Sequence, residues 1–479
     1  MPGCELNCSI ILLTINTMTY KLSYYIVFTD EFETDAEGLT RKRIAFSTRS
    51  AKALVLSAEV CHQLMDERWD ELSSDVFDKL RTLKFIVPGD EHELATIIDE
   101  NNEASEKESL LYYVIQNTAN CQLGCDYCGQ VHSKHNISPD LYEKILDRIN
   151  SRIIPGQHKS LRIGWFGGEP LLGLKQIREM TPLLRRLAEG NQLTYSAKVV
   201  TNGLSLKEGI FEELATQLGI DQVEVTLDGT AEFHDHRRHT KEKESTFDII
   251  FRNLKAIIDR PDFFDLKCQL TLRCNVDERN MGGVSPLIQL LAENGFPEKI
   301  GYFYPVGVYS WGNDAHKKSL TKEEFAEKEI DWMMEMYEAG FKFSLLPGRV
   351  KAVCLAVSPS SEVIDAFGNL YNCTEVPYVD VYKGSQHEMG NLRFPAETYA
   401  KVKPLNNWND QILNEEFPCA TCKMLPVCGG GCPKSWNEQM RACPSNKFNI
   451  REKLILSYLS TREGFSDSLH ELHTAPTFV

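Results

Sequence analysis

The chain has 479 residues and a formal net charge of −16; 42% of its residues are hydrophobic and 25% are charged. This composition is typical of a soluble globular protein and excludes a mainly disordered, collagenous or coiled-coil chain. The acidic balance argues against a nucleic-acid partner, which needs a basic face, and no apolar run reaches the roughly 18 residues of a membrane span. We therefore expect a cytoplasmic protein whose 15 cysteines serve metal binding or catalysis, because disulfides are rare in that compartment.

The first region, residues 18–105, is predicted to be a small α+β domain in which strands precede helices. Strand patterns cover residues 24–29 and 43–47, separated by an acidic turn at 34–38. Helical patterns cover residues 57–65, 74–84 and 91–100, and the first two open with a serine that can cap a helix. Met18 is a candidate start, because patterned sequence begins near Tyr20. The polar residues 101–109 are predicted to be a linker.

From residue 110 onward, buried strands alternate with amphipathic helices. Strand patterns lie at residues 111–116, 161–166, 194–200, 223–227, 266–273 and 300–305, and helical patterns at 141–149, 176–187, 207–218, 247–258, 284–293 and 322–337. This order predicts an α/β fold, a partial (β/α)6 barrel over residues 110–340 with its site at the carboxyl ends of the strands. Residues 341–452 have little periodicity and are predicted to need metal to stay folded. Residues 453–479 are predicted to form a C-terminal helix and tail.

A first cysteine cluster, CxxxCxxC, follows the first barrel strand at Cys121, Cys125 and Cys128. Iron–sulfur clusters are normally held by four thiolates, so three thiolates suggest that another ligand fills the fourth position. Structural zinc with a distant ligand such as His132 is the alternative, and chance spacing is another. The location of the loop at the end of a barrel strand favours the iron–sulfur cluster.

This motif resembles the signature of the radical S-adenosylmethionine (SAM) superfamily, in which an aromatic residue, here Tyr127, precedes the last cysteine. In that family the open iron of a 4Fe–4S cluster chelates SAM, and one electron releases a 5′-deoxyadenosyl radical that abstracts a substrate hydrogen. The resemblance implies SAM contacts at the ends of the following strands, with Glu169 holding the methionine amine. The strand-end residues, which would otherwise be ordinary turn residues, are Gly167, Gly168, Glu169, Asn202, Thr226 and Arg238, and Tyr127 is the seventh predicted contact. The neighbouring Arg237 leaves the register of Arg238 open by one residue.

A second set of seven cysteines lies in the last third of the chain. It comprises Cys354, Cys373, Cys419, Cys422, Cys428, Cys432 and Cys443. Zinc bound by CxxC pairs is the structural alternative. The spacing resembles the pattern of the SPASM subgroup of radical SAM enzymes, CX9–15GX4C followed by CX2CX5CX3C and a last cysteine, with 13 residues between Cys354 and Gly368.

The SPASM resemblance implies two auxiliary 4Fe–4S clusters, which makes three clusters with the SAM-binding one. The distal cluster would use Cys419, Cys422, Cys428 and Cys443, and the nearer cluster would use Cys354, Cys373 and Cys432. No cysteine in residues 341–353 supplies a fourth ligand to the nearer cluster. We therefore predict an open or substrate-ligated iron there, with Cys274 as the one distant alternative. Cys61 and Cys268 lie in apolar patterns and are expected to be small core residues.

Because the subgroup mostly modifies peptides and proteins, the resemblance implies maturation of a ribosomally synthesised precursor peptide through a thioether or carbon–carbon crosslink. The electron donor would be a protein such as flavodoxin or ferredoxin. In its element order, the N-terminal region resembles the winged-helix module that binds leader peptides as an added edge strand. A structural cap on the barrel is the alternative. No catalytic side chain is assigned: Asp228, His234 and Asp235 are either proton acceptors or turn residues.

Two rival functions remain open. One is an anaerobic sulfatase-maturing enzyme that oxidises Cys or Ser to formylglycine, which shares the clusters but normally lacks such an N-terminal module and uses an Asp base. The other, of a different class, is a non-catalytic iron–sulfur or zinc scaffold.

Overall fold

A computed structural model describes residues 19–33, 41–400 and 402–462. Met18, the predicted turn at 34–38 and the tail beyond residue 462 lie outside the described residues. Among the described helices, none combines the length and apolar character that crossing a bilayer requires.

The first part of the chain forms an α+β unit, called here the N-terminal unit (residues 19–106). Its strands are β1 Tyr20–Leu22, β2 Ile26–Phe28, β3 Phe32–Glu33, β4 Arg41–Ser47, β5 Lys52–Ser57 and β6 Ile86–Pro88, and its helices are α1 Ala58–Met65, α2 Ser74–Thr82 and α3 Glu93–Glu106. Strand β4 is central: β2 and β3 pair with one edge and β5 with the other, all antiparallel. The hydroxyl oxygens of Ser57 and Ser73 accept the hydrogen bonds that cap α1 and α2.

The central part is a partial (β/α)6 barrel, as predicted. Its strands are β7 Leu110–Gln116, β8 Ser160–Phe166, β9 Thr194–Thr201, β10 Ile220–Thr226, β11 Gln269–Val276 and β12 Tyr302–Gly307, and its helices are α4 Asp140–Asn150, α5 Leu174–Gly190, α6 Glu208–Thr216, α7 Ala231–Arg237, α8 Phe247–Ile258, α9 Val284–Glu293 and α10 Lys322–Glu338. The six strands lie in chain order and are all parallel. Alternate residues such as Leu111, Tyr113 and Ile115 are fully buried in the main hydrophobic core. Their spacing fits strands buried against helices.

The last part adds structure that the sequence did not reveal. Its elements are β13 Glu362–Ile364, β14 Asn369–Tyr371 and β15 Glu388–Asn391, followed by α11 Trp408–Leu413, α12 Leu425–Cys428, α13 Pro433–Asn437 and α14 Asn446–Arg462. Strand β13 pairs parallel with β7, so the barrel sheet extends to nine strands. Strands of three or four residues are too short to show a period, which is why the pattern missed them.

The predicted linker at residues 101–109 is wrong over its first half, because helix α3 continues through Glu106. Asn101 is 2% exposed, and its side-chain oxygen accepts a hydrogen bond of 3.1 Å from Arg349. Gln157 donates to the backbone oxygens of Glu106 and Glu108, at 2.8 and 3.1 Å. The N-terminal unit is therefore tied to the rest of the protein by packed structure and not by a free tether.

Candidate functional site

A cavity of about 410 Å³ opens at the carboxyl ends of the barrel strands. It is lined by all three residues of the first cysteine cluster, by all seven predicted SAM-contact residues and by Cys432. Parallel strands bring their carboxyl ends to one edge, which is how residues over a hundred positions apart meet. A second cavity of about 680 Å³ lies at the opposite ends of the strands and touches Cys354.

The first cysteine loop is fixed by hydrogen bonds between its backbone and the segment after α7. The amide of Gly124 donates to the backbone oxygen of His239 at 2.9 Å, and that of Asp126 donates to Arg237 at 3.1 Å. Burial raises the pKa of both the Cys121 and Cys128 thiols to about 12. Metal binding displaces the thiol protons, so these cysteines can hold an iron–sulfur cluster as thiolates.

Two glycines after β8 allow the backbone to pass directly beneath this loop. Gly167 has φ +134, and a Cβ atom there would lie 2.5 Å from the backbone oxygen of Thr118. A Cβ atom on Gly168 would lie 2.4 Å from the backbone oxygen of Asn120 and 3.2 Å from the Cβ of Cys121. The distances to the two carbonyl oxygens are shorter than a van der Waals contact. A side chain at either glycine would therefore overlap the backbone that leads into the cysteine loop.

Glu169 is completely buried and is held by three donors of the protein. Its Oε1 accepts from the Thr201 hydroxyl at 2.6 Å and the Leu171 amide at 3.0 Å, and its Oε2 accepts from the Asn202 amide at 2.7 Å. Burial raises the pKa of this carboxyl, and the three donors oppose the rise. A carboxylate oxygen has two lone pairs, so Oε2 retains acceptor capacity for a ligand amine in the cavity.

Tyr127 is the centre of a buried hydrogen-bond network. Its hydroxyl donates to Asp228 Oδ2 at 2.7 Å and accepts from Arg238 Nη1 at 2.6 Å and from Asn275 Nδ2 at 3.1 Å. Arg238 lines the cavity, whereas Arg237 faces away and pairs with Asp277 at 3.2 Å. This difference favours Arg238 as the cavity cation.

The three candidate proton acceptors have the contacts of structural residues. Asp228 accepts from Tyr127 and from the Asn275 amide at 2.8 Å. His234 is fully buried, burial lowers its pKa well below the usual value, and its Nδ1 accepts from the Asp228 amide at 3.1 Å. Asp235 accepts from the amides of Thr246, which precedes α8, and of Phe247, its first residue, at 2.8 and 2.9 Å.

The seven C-terminal cysteines fall into two groups by mutual electrostatic influence. Burial and then the nearby Cys432 thiol raise the pKa of Cys354 to about 11. Burial and the Glu375 carboxylate, followed by Cys432 and Cys354, raise the pKa of Cys373. In the other group, burial followed by Cys428, Cys422 and Cys443 raises the pKa of Cys419 to about 12. Within the described ranges, no three His, Cys, Asp or Glu side chains converge as the ligands of a single metal ion do.

Cys274, the predicted distant alternative, lies elsewhere. It is buried in the main hydrophobic core, and the charged groups near it are Asp228, Arg237 and Arg238. Cys61 and Cys268 are likewise core residues, as expected.

Several cavity residues were missed by sequence reasoning. Besides the predicted residues, the cavity is lined by Gln116, Arg273, Tyr309, Trp311, Glu375 and Lys434. Glu375 and Lys434 each stand two residues after a predicted cluster cysteine, which is the signal that could have found them. Glu375 lines the cavity, and desolvation there raises the pKa of its carboxyl.

Comparison with known proteins identifies the central domain. Residues 115–262 match the Radical SAM superfamily. The chain is 24% identical to the cysteine-type anaerobic sulfatase-maturating enzyme of Clostridium novyi, over 68% of this chain and 89% of that protein. It is 28% identical to the serine-type anaerobic sulfatase-maturating enzyme of Bacteroides thetaiotaomicron, over 66% of this chain and 80% of that protein. The structure of native anSMEcpe with bound AdoMet and Cp18Cys peptide has the same fold, with a TM-score of 0.53, 18% identity, and coverage of 74% of this chain and 97% of that one.

Replacing Gly168 by Ala is expected to displace the Cys121 loop, because the added methyl would overlap the backbone oxygen of Asn120. We expect the iron bound by anaerobically reconstituted protein to fall by about four per chain, the content of one 4Fe–4S cluster. Gly190 is the matched control, since a Cβ atom there meets nothing within 4 Å. Unchanged iron in Gly168→Ala would contradict the steric argument.

Replacing Tyr127 by Phe is expected to destabilise the fold by about 1–3 kcal/mol, because Asp228 and Arg238 lose a buried partner. It is also expected to weaken SAM binding, measured by equilibrium dialysis. Tyr142→Phe is the control, because the Tyr142 hydroxyl donates to Glu179 at 2.8 Å outside the cavity lining. Equal SAM affinity in the two variants would contradict the role given to the network.

Proposed function

We propose that this radical SAM enzyme matures a ribosomally synthesised precursor peptide by installing a thioether or carbon–carbon crosslink. The observation that carries the proposal is the shared cavity: Cys121, Cys125 and Cys128 line it together with Cys432, a ligand of the proposed nearer auxiliary cluster. A substrate carbon held there would lie between the radical source and an electron acceptor. This arrangement suits an oxidation that removes one hydrogen atom and one further electron.

The residues for SAM binding are those at the strand ends. When bound, SAM and the first 4Fe–4S cluster supply a 5′-deoxyadenosyl radical that takes a hydrogen atom from the substrate. We assign the methionine amine to Glu169 and the carboxylate to Arg238, with Asn202 and Thr226 as further contacts. The buried Tyr127 network fixes Arg238 in place, so this cation needs little reorganisation when the anion arrives.

We assign two auxiliary 4Fe–4S clusters to the C-terminal cysteines. Cys419, Cys422, Cys428 and Cys443 would hold the distal one, and Cys354, Cys373 and Cys432 the nearer one. Cys274 lies in the barrel core and is not assigned to the nearer cluster. One iron of that cluster would then have a coordination position without a cysteine of this chain. Cys432 is exposed, and it lines the cavity, so a substrate thiolate could take that position. This favours a thioether product.

In the four-stranded sheet of the N-terminal unit, the outer edge of β5 is open to a leader peptide. The backbones of Ile44 in β4 and of Thr48 just after β4 make hydrogen bonds on the β2 side. The alternate residues Arg43, Ala45 and Ser47 therefore face β5. On β5, the backbone groups of Leu56, Leu54 and Lys52 hydrogen-bond to these residues of β4. The backbone groups of Ala53 and Val55 therefore point to the free edge. Most of β5 is exposed, and no other described strand pairs with it.

The opposite edge of this sheet is already covered. Lys423 Nζ donates to the backbone oxygen of Ile26 at 3.1 Å, and Arg451 Nε donates to that of Phe28 at 3.1 Å. Side chains thus occupy outward backbone oxygens of β2, whereas those of β5 are left free by the described strands, which supports recognition by edge addition at β5.

Anaerobic sulfatase maturation is the second candidate, and the similarity to the maturating enzymes of Clostridium novyi and Bacteroides thetaiotaomicron favours it. Against it, those relatives match about two-thirds of this chain, so a third of the chain has no counterpart in the alignments. A non-catalytic scaffold is disfavoured by the cavity, which a purely structural site does not need. For either enzyme we propose flavodoxin or ferredoxin as electron donor.

Tandem mass spectrometry after anaerobic co-expression separates the two enzyme classes. One arm uses short peptides encoded beside this chain, and the other uses a sulfatase-derived peptide containing Cys or Ser. A crosslinked fragment in the first arm supports the proposal. An aldehyde that a hydrazide labels in the second arm, with no product in the first, would transfer the assignment to sulfatase maturation.

Replacing Cys121, Cys125 and Cys128 together by Ala is expected to abolish 5′-deoxyadenosine formation and leave about 8 of about 12 irons per chain. Both quantities are measured on reconstituted protein, by chromatography and by an iron assay. Cys268→Ala is the control, because this thiol is a core residue outside the proposed clusters. Persistent SAM cleavage in the triple variant would refute the assignment.

Replacing Ala53 by Pro is expected to weaken leader binding at least tenfold, because it removes an outward amide while sparing the bonds to β4. Binding is measured by fluorescence anisotropy with a labelled synthetic leader, and thermal unfolding checks that the sheet is intact. Ala53→Ser keeps the amide and is expected to bind like the wild type. Equal binding by the proline variant would exclude β5 as the docking edge.

A further inference from the structure

The segment between the first and third cysteines of the distal set, residues 419–428 (the distal loop), lies against the N-terminal unit. The Tyr24 hydroxyl donates to the backbone oxygen of Thr421 at 2.7 Å, and the Thr48 hydroxyl donates to that of Lys423 at 2.6 Å. Both acceptors are main-chain groups inside the CxxC–x5–C run. The N-terminal unit therefore supplies hydrogen bonds that the distal loop does not make within itself.

Apolar contacts reinforce the same interface. Ile44 and Phe46 on one face of β4 share a hydrophobic cluster with Met424 and Val427 of the distal loop. Tyr25 shares a second cluster with Cys419 itself. Two of the four proposed distal ligands lie against this unit, because Cys422 also packs against the first of these clusters.

A third connection runs through Arg349, which bridges helix α3 and the distal loop. Its Nη1 donates to the backbone oxygen of Pro426 at 2.7 Å, and its Nη2 donates to Asn101 Oδ1 at 3.1 Å. The loop thus has three of its main-chain oxygens, those of Thr421, Lys423 and Pro426, held by side chains from outside it. Partners of this kind orient metal ligands and change metal retention when they are removed.

We infer that the N-terminal unit forms one wall of the distal cluster site, with Tyr24 and Thr48 as positioning residues for its ligand loop. This rests on the proposed function insofar as Cys419, Cys422, Cys428 and Cys443 hold a 4Fe–4S cluster. It goes beyond it because the unit then serves cluster retention as well as peptide recognition. Loss of the two hydroxyls leaves two loop oxygens unsatisfied by the protein and loosens the cysteines between them.

The test compares iron release from the full-length, reconstituted protein. Wild type and the double variant Tyr24→Phe/Thr48→Val are incubated anaerobically with a ferrous-iron chelator, and iron is counted per chain over time. We expect about four irons to leave about three- to tenfold faster in the double variant, with the rest released as in the wild type. Electron paramagnetic resonance of the reduced protein is expected to show one auxiliary signal altered and the others unchanged.

Two further variants make the comparison specific. Ser50→Ala removes a 2.7 Å hydrogen bond from the Ser50 hydroxyl to the Leu83 backbone oxygen inside the same unit, and we expect wild-type release. Thr48→Ser keeps a hydroxyl at position 48. Compared with Thr48→Val, it is expected to release iron at the wild-type rate. If the double variant does not fold, Thr48→Val alone carries the comparison.

Three outcomes would overturn the inference: wild-type release from the variants that lack the hydroxyls, equal acceleration of all irons, or equal acceleration in Ser50→Ala. Failure of the proposed function looks different. In that case Cys419→Ala would lose no iron relative to the wild type, and the inference would fall with it.

Discussion

The site depends on one steric constraint, the close passage of two backbone segments at the end of β8. Gly167 and Gly168 lie so near the Thr118 and Asn120 carbonyls that a methyl group at either position would overlap them. This contact seats the Cys121 loop above the barrel and directs Glu169 into the interior. There the carboxylate is fixed by Thr201, Leu171 and Asn202. The geometry of the cavity follows from these contacts.

A second dependence joins the two ends of the chain. The C-terminal segment has few regular elements, and part of its apolar surface is buried by residues from the N-terminal unit and helix α3. Its loops also donate to and accept from that unit through Lys423, Thr421 and Arg349. A segment with a small core of its own gains order from such contacts, as it would from metal. The N-terminal unit and the C-terminal segment therefore pack together as one body beside the barrel.

Much of the fold could be predicted from the sequence, and the reasons are specific. The barrel strands were found because apolar residues recur at alternate positions in short segments between helical patterns. Helices α8 and α9 were predicted to their end residues, because the 3.6-residue apolar repeat starts and stops with each helix. Strands β13 to β15 and the last turns of α3 were missed. Three-residue strands carry no period, and the polar residues of α3 are helical through contacts such as that of Asn101 with Arg349.

The sequence by itself was enough to indicate the radical SAM domain, because the CxxxCxxC loop is a local motif and residues 115–262 match that superfamily. The clusters on the seven later cysteines stay a prediction. Only the tertiary structure decided the rest. It separated Arg238 from Arg237, placed Cys274 in the core, brought Glu375 and Lys434 into the cavity, and set the N-terminal sheet against the distal loop. Those relations join residues far apart in the chain, and their energies come from packing and burial that no local pattern encodes.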